Sequence, residues 1–186
     1  MQDFIRPDES TGMIHDVVVR PLRVNADPRG ILVETLRTDW SDVYGVDREF
    51  HQTYYSVTNP GVARDEDRWH HHYSQEDRFV VLGGNIVLAI YDGRSESPTR
   101  GRLNLFLLGD AAGSNGQRLI VVPRETLHGF VVVGDTPGVL INYPTQLYNP
   151  ADELRTPFSE ANVTFSDDTP FTWERVRQMW REGATA

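Results

Sequence analysis

Short apolar segments separated by turn residues run along most of this chain, and they restrict its fold more than any other feature. β-Branched and aromatic residues, which favour strands, are frequent in these segments. Proline and glycine stand between them, as in Asp27-Pro28-Arg29-Gly30 and Gly83-Gly84, and such residues form tight turns. Many short strands at this spacing predict a β-sandwich or β-barrel. The predicted strands lie at residues 16–22, 31–37, 52–57, 78–81, 85–91, 103–108, 118–122, 129–133 and 138–142.

The end of the chain has a different pattern. Trp173, Val176, Met179 and Trp180 recur at helical spacing and form one apolar face. Thr169-Pro170 is a suitable start, because proline is tolerated in the first turn of a helix. We therefore expect an all-β fold with a short C-terminal helix that packs on the sheets or on a second subunit.

Length and composition agree with one domain. The chain has 186 residues, of which 39% are hydrophobic and 24% charged, and this composition is typical of globular proteins. A chain of this length can bury a core without metal or disulfide cross-links. We predict a single domain over residues 1–186, with the barrel core at about 17–150 and an extension at about 151–186.

Charge and cysteine content narrow the possible partners and location. The formal net charge is −9, and an acidic surface disfavours nucleic-acid binding. No segment approaches the roughly 18 apolar residues of a membrane span, and no signal peptide is visible at the amino terminus. The absence of cysteine excludes disulfides and thiolate metal sites. We expect a cytoplasmic protein with a small-molecule ligand.

Two histidine motifs favour one kind of barrel. In a strand, alternate side chains share a face, so His70 and His72 would point one way and the histidine between them the other. With Asp77 and Gly84 they form an H-x-H-x(4)-D-x(6)-G pattern, which resembles the first motif of the cupin barrels. Pro123–His128 has the P-x-x-x-x-H spacing of the second motif. The pair predicts a cupin-type jelly-roll β-barrel.

The residues of these motifs suit two kinds of chemistry. Three imidazoles and a carboxylate could hold a divalent ion such as Fe, Mn, Ni or Zn. A neutral imidazole could instead remove a proton from carbon. The sequence leaves both possibilities open for His70, His72, Asp77 and His128.

A longer ordered set of segments, between about Val17 and Trp173, identifies a family. The segments are Asp27-Pro28-Arg29-Gly30 with Glu34, Gln52–Ser56, Gly61–Arg64, Asp92–Gly101, Pro123–Phe130 and Tyr148–Glu153. In these segments the chain resembles the dTDP-4-dehydrorhamnose 3,5-epimerase family. The resemblance implies a jelly-roll barrel, usually a homodimer, with a dTDP-linked 4-keto-6-deoxy sugar as ligand and no cofactor.

The resemblance also implies catalytic roles. A C4 ketone acidifies the C3 and C5 protons of the sugar, so a base can remove one and an acid can return it to the opposite face. His70 stands at the place of the family's base. Asp168 is the best match to the carboxylate that orients this base, and Tyr143 is the tyrosine nearest to the position of the acid.

A further set of residues matches positions that contact the ligand in this family. Arginine suits a diphosphate, because its planar guanidinium can bind two oxygens at once. The predicted substrate-binding residues are Arg29, Glu34, Gln52, Arg64, Arg68, His72, Arg78 and His128.

Three departures from the family pattern stand in this chain. Asp77 replaces the catalytic lysine, and Arg78 is the nearest cation. The segment before His70 is longer than the family's R-G-x-H, so either Arg64 or Arg68 could serve as its arginine. Asn142 occupies the tyrosine's place, and a shift of one residue to Tyr143 would turn the side chain to the other face of the strand.

Four functions follow from these observations. The first is epimerisation of a dTDP-linked 4-keto-6-deoxy sugar for deoxysugar or polysaccharide biosynthesis. The second is 3,4-ketoisomerisation of a dTDP-linked sugar. It follows from a likeness to the H-x-H-K-x-x-Q stretch of dTDP-sugar 3,4-ketoisomerases, which is His70-His71-His72-Tyr73-Ser74-Gln75 here. A metal-dependent cupin enzyme is the third, and a non-catalytic protein that binds a sugar nucleotide is the fourth.

Overall fold

A computed structural model describes residues 4–5, 12–110 and 117–183 of the chain. The described residues form twelve strands and two short helices. The strands are β1 (Val18–Pro21), β2 (Val24–Asp27), β3 (Gly30–Val33), β4 (Tyr54–Thr58), β5 (Arg68–His71), β6 (Asp77–Gly83), β7 (Asn85–Tyr91), β8 (Leu103–Gly109), β9 (Arg118–Val122), β10 (Leu127–Val133), β11 (Gly138–Asn142) and β12 (Leu154–Pro157). The helices are α1 (Phe158–Ala161) and α2 (Trp173–Arg181).

Two antiparallel sheets of five strands make up the body of the fold. One has the order β1-β9-β6-β11-β4 and the other the order β12-β5-β10-β7-β8, while β2 and β3 form a separate hairpin. Inward-facing side chains of both sheets, such as Phe79 of β6 and Leu88 of β7, meet in one buried core. The prediction of an all-β fold with a C-terminal helix is confirmed.

Each sheet is also covered on its outer face. Helix α2 buries Trp173, Val176 and Met179 against the sheet that contains β5 and β10. The segment between β3 and β4 covers the other sheet, where Val43 packs on Val80 of β6. Because both faces of the central strands are buried, β7 and β9 do not alternate and are continuously apolar after their first residues, Asn85 and Arg118.

Element boundaries differ from the sequence prediction where polar residues take part. The pattern does not predict β5, because Arg68–His71 contains only one apolar residue, Trp69. The segment predicted at 31–37 ends as a strand at Val33. Helix α2 begins at Trp173, with the side chain of Thr172 accepting from the backbone N–H of Arg175, so its cap lies later than Thr169-Pro170. Neither described helix has the length and apolar composition needed to cross a bilayer.

We predict that Trp173→Ala lowers the free energy of unfolding by about 3–5 kcal/mol, as is typical for loss of a buried tryptophan. Trp173 is 1% exposed, and its ring lies 4.9 Å from that of Phe171 and 6.2 Å from that of Trp69. Urea denaturation measures the change. Glu174→Ala is the control, because the side chain of Glu174 is 68% exposed. A loss below about 1 kcal/mol for Trp173→Ala would contradict the packing role of α2.

Candidate active site

A cavity of about 340 Å³ opens between the two sheets. A second cavity of about 240 Å³ adjoins it and shares Tyr54, His70 and Glu153. Residues of both sheets line the larger cavity: Tyr54, Ser56, Arg64, Asp65, His70, Asp77, Phe79, His128, Gly129, Phe130, Leu140, Glu153 and Arg155. The smaller one adds Gln52, His72, Gln75, Leu147, Tyr148, Asn149 and Asp152.

Three histidines meet in the wall of these cavities. His70 of β5 and His128 of β10 are paired directly across the two strands. His72 follows β5, and its Nε2 lies 2.9 Å from Nε2 of His70. One ring nitrogen of each of the three lies within 4.8 Å of those of the others. His71 faces away and hydrogen-bonds through Nε2 with Thr156 Oγ1 at 3.1 Å, as strand alternation predicts.

The bonding pattern fixes the tautomers of His70 and His72. Nδ1 of His72 lies 2.6 Å from the carbonyl oxygen of Asp152, so this nitrogen carries the hydrogen. Nε2 of His72 then accepts, from Gln75 Nε2 at 3.1 Å and from His70 Nε2 at 2.9 Å. In this arrangement the hydrogen of His70 sits on Nε2, and Nδ1 has no hydrogen-bond partner among the described residues.

Burial and like charge act on His70 in the same direction. Burial, followed by the nearby rings of His128 and His72, lowers the pKa of His70 to about 3. The ring is therefore neutral at neutral pH.

Asp77 is a buried and ionised carboxylate beside the histidines. Its Oδ1 accepts from Gln75 Nε2 at 2.8 Å and from Asn142 Nδ2 at 2.7 Å. Its Oδ2 lies 3.2 Å from Nε2 of His128 and 3.7 Å from Nε2 of His72. Burial raises the pKa of Asp77, but the hydrogen bond with His128 and the other polar contacts outweigh it and lower the value to about 2.

Two further residues predicted from the sequence line the cavities. Gln52 lies in the smaller cavity, and its Nε2 donates to the carbonyl of Gln146 at 3.1 Å. Arg64 lies in the larger cavity, and its Nε donates to Thr58 Oγ1 at 2.9 Å. The structure thus brings five predicted positions together: His70, His72, His128, Gln52 and Arg64.

Strand alternation turns Tyr143 and Arg78 away from these cavities. The hydroxyl of Tyr143 bonds Thr35 Oγ1 at 2.6 Å, and its ring packs on the outer face of its sheet. Arg78 is fully buried, and its guanidinium donates to backbone carbonyls, at 3.0 Å to Val43 and 3.2 Å to Glu49. Their placement corrects the prediction for both residues, because only the neighbours Asp77 and Asn142 face inward.

Four other predicted residues are exposed and line neither cavity. Asp168 lies in a turn, with φ 64° and its N–H donating to the carbonyl of Phe165. Arg68 pairs with Asp67 at 2.7 Å. Arg29 pairs with Asp27 at 2.6 Å in the β2–β3 turn, and Glu34 pairs with Arg37 at 2.6 Å just after β3. None of the four contacts His70 among the described residues.

The structure adds residues that the sequence reasoning missed. Tyr54 begins β4, is paired directly across from Asn142 of β11, and accepts a 2.9 Å hydrogen bond from its Nδ2. Gln75 joins His72 to Asp77. Glu153 and Arg155 pair at 2.8 Å at the rim. The sequence contains one signal for Tyr54: alternate residues of a strand share a face, so Tyr54 and Ser56 point the same way.

Comparison with known proteins gives a consistent result. A family model described as dTDP-4-dehydrorhamnose 3,5-epimerase matches residues 11–171. A protein of Haloferax volcanii named probable low-salt glycan biosynthesis epimerase Agl13 is 49% identical over 148 residues, covering 78% of this chain and 88% of that protein. The spore coat polysaccharide biosynthesis protein SpsL of Bacillus subtilis is 30% identical over 161 residues, covering 86% and 99%. A dTDP sugar isomerase structure from Desulfovibrio desulfuricans aligns with a TM-score of 0.71 and 27% identity, covering 87% of this chain and 92% of that one.

These matches confirm the resemblance and the cupin-type jelly-roll barrel predicted from the sequence. The family match extends over both sheets, and the relatives are matched over most of their length. The protein is therefore an enzyme of the isomerase class. The chain belongs to the dTDP-4-dehydrorhamnose 3,5-epimerase family.

Proposed function

We propose that this protein epimerises a dTDP-linked 4-keto-6-deoxy sugar by enolisation, as a step in glycan or polysaccharide biosynthesis. The observation that carries the proposal is His70, a neutral imidazole in the wall of both cavities, at the place of the family's base. Arg64 lines the same cavity, and its guanidinium is suited to bind the diphosphate. The relatives' names in glycan and polysaccharide biosynthesis support the same class of substrate.

The chemistry begins with proton removal from carbon. His70 takes the proton from C3 or C5, and the electron pair of that C–H bond moves to the C4 carbonyl oxygen to form an enolate. Return of a proton to the other face of the carbon inverts it. Hydrogen-bond donors placed at the enolate oxygen lower the barrier without a cofactor. Asp77 stands where the family has its lysine, and its carboxylate accepts from Gln75 and lies 3.2 Å from Nε2 of His128.

A 3,4-ketoisomerase would use the same first step and differ only in the site of reprotonation. The H-x-H and Gln75 of its motif line the cavities here, which is why this alternative is kept. Loss of the C3 hydrogen, entry of deuterium at C4 and a carbonyl at C3 in the product would identify it.

We predict that His70→Ala abolishes turnover with dTDP-4-keto-6-deoxyglucose. Loss of a general base costs about 10²–10⁴-fold, so deuterium incorporation at C3 and C5 in heavy water, followed by NMR, should fall by at least that range. His71→Ala is the matched control, because His71 is the next residue on β5 and faces the other way. Exchange by His70→Ala at the wild-type rate would remove His70 as the base. Wild-type protein that binds dTDP without exchanging either proton would instead be a binding protein.

A metal-dependent enzyme is the second candidate, because the three histidines are arranged as a ligand set. Their ring nitrogens lie within 4.8 Å of one another, which fits three imidazole ligands of Zn, Fe, Mn or Ni. Asp77, predicted as the fourth ligand, is 3.2 Å from Nε2 of His128. A bound ion would polarise the substrate carbonyl, and His70 could not then act as the base.

Metal removal distinguishes the two candidates. For the proposed epimerase we expect EDTA-treated, dialysed protein to keep its wild-type rate. The second candidate requires turnover to vanish with EDTA and to return with one equivalent of Mn, Fe, Ni or Zn. It also requires His72→Ala to lower the metal content measured by elemental analysis, with His71→Ala as the control.

We also propose that the protein is a homodimer. β4 is an edge strand, and its Tyr55 and Val57 are 70% and 54% exposed. Ile31 and Leu32 of the β2–β3 hairpin are 65% and 64% exposed. If the hairpin of one copy covers the β4 edge of another, both surfaces are buried and the edge is protected. The same contact would bring Arg29 and Glu34 to the second copy's cavity, which explains their distance from their own.

Leu32→Asp tests this arrangement. We expect wild-type protein to sediment with twice the 21.2 kDa of one chain, and Leu32→Asp to sediment as a monomer with weakened dTDP binding, because a buried charge opposes the contact. Leu82→Asp is the control, since Leu82 is 49% exposed at the end of β6. A monomeric wild type would contradict the dimer.

We further propose one domain and a cytoplasmic location. The contacts of α2 with the sheet support one domain that joins the barrel core at about 17–150 to the extension at about 151–186. The absence of cysteine supports a reducing compartment. Unfolding in two separate transitions would contradict the first statement, and recovery from the extracellular fraction the second.

A further inference from the structure

We propose that Tyr54 is the general acid that returns the proton to the sugar on the face opposite His70. This inference rests on the proposed epimerase function. The site otherwise has no tyrosine at the family's position for the acid. That position is Asn142 here, and the neighbouring Tyr143 faces the outside of the sheet.

The first argument is strand register. Tyr54 of β4 and Asn142 of β11 are directly paired, and directly paired residues have Cβ atoms about 4.5–5.5 Å apart on the same face of a sheet. A tyrosine on β4 can therefore place its hydroxyl in the region that a tyrosine at position 142 would serve. Tyr54 lines both cavities together with His70.

The second argument is the direction of one hydrogen bond. Oδ1 of Asn142 accepts from the backbone N–H of Arg78 at 3.0 Å, which fixes the amide so that Nδ2 points to Tyr54. Since Nδ2 can only donate, the Tyr54 oxygen is the acceptor of their 2.9 Å bond. Among the described residues this is the one hydrogen bond of the Tyr54 hydroxyl, so its own hydrogen is free to point at a ligand.

The third argument is the position of the two groups. His70 lies on β5 in one sheet and Tyr54 on β4 in the other, and the cavity lies between them. A base and an acid on opposite walls reach opposite faces of a sugar ring held between them, which is what inversion at carbon requires. His72 and His128 cannot fill this role, since they stand on the same side as His70.

The proton transfers of this reaction balance without a co-reactant. His70 takes H⁺ from carbon, the enolate forms, and the Tyr54 O–H bond breaks as a new C–H bond forms on the other face. The resulting phenolate recovers a proton from water, and His70 releases one to water. Tyr54 is 50% exposed, but desolvation of its hydroxyl, and secondly the charge of Asp77, raises its pKa to about 12, so the phenol is protonated before the step. The Asn142 amide stabilises the phenolate.

Another tyrosine near the cavities provides a matched control. Tyr143 is bonded to Thr35. Tyr143 lines neither cavity described above, so Tyr143→Phe should leave turnover unchanged.

Tyr54→Phe tests the inference, with two rates measured by NMR in heavy water: solvent exchange at C3 and C5, and formation of inverted product. We expect product formation to fall by about 10²–10⁴-fold, while exchange at the carbon that His70 deprotonates persists, because His70 can return deuterium to the same face. Inverted product at the wild-type rate would overturn the proposal. Loss of both rates would also overturn it, since it would assign Tyr54 to binding or folding.

A swap of the residues at positions 54 and 142 provides a second measurement. Tyr54→Asn should lose inverted product, and the double variant Tyr54→Asn with Asn142→Tyr should regain at least about tenfold, because the phenol returns across the same register pair. A double variant no better than Tyr54→Asn counts against the proposal. Absence of any exchange in the wild type is a separate outcome that refutes the epimerase function itself.

Discussion

The site depends on the stabilisation of one buried charge, the carboxylate of Asp77. An ionised carboxylate that is 3% exposed costs several kcal/mol in lost hydration unless donors replace the water. Three side chains meet this requirement: Gln75 and Asn142 at one oxygen and His128 at the other. Two of these partners in turn orient another group, because Gln75 donates to His72 and Asn142 donates to Tyr54. The positions of the inferred base and acid thus both trace back to one desolvated carboxylate.

This dependence changes how the departures from the family pattern are understood. Replacing a lysine by Asp77 alone would set a negative charge beside a developing enolate and oppose its formation. The donors around Asp77 stabilise its charge, and one of them is Asn142, the residue that stands in place of the family's tyrosine. Asp77, Asn142 and Tyr54 are joined by hydrogen bonds through a single amide group. These three residues therefore form one coupled network, and changing any one of them alone removes a hydrogen-bond partner from another.

The sequence predicts the parts of this arrangement that follow from alternation along one strand. It predicts that His70 and His72 share a face, that His71 does not, and that a shift from Asn142 to Tyr143 reverses the side chain. It does not predict the pairing of Tyr54 with Asn142, because the register of β4 against β11 depends on contacts between residues far apart in the chain. Arg78 was misplaced for a related reason: its arginine chemistry suggested a ligand, whereas full burial commits its donors to backbone carbonyls. The exposed positions of Asp168 in its turn and of Arg29 in the β2–β3 hairpin depend likewise on tertiary placement.

The two-sheet architecture explains why the acid can change strands while the reaction is kept. Inversion needs groups on both sides of a flat substrate, and a sandwich supplies two facing walls in which each strand presents every second residue. Within one wall, neighbouring strands offer nearly equivalent positions about 5 Å apart, so a phenol can move from β11 to β4 and still face the same cavity. Moving it across to the wall of β5 would place acid and base on one side and end inversion. The reaction therefore requires that the acid lie in the sheet opposite the base and point into the cavity, and it does not require one position in the sequence. Catalytic groups in such barrels are better compared by strand register than by sequence alignment alone.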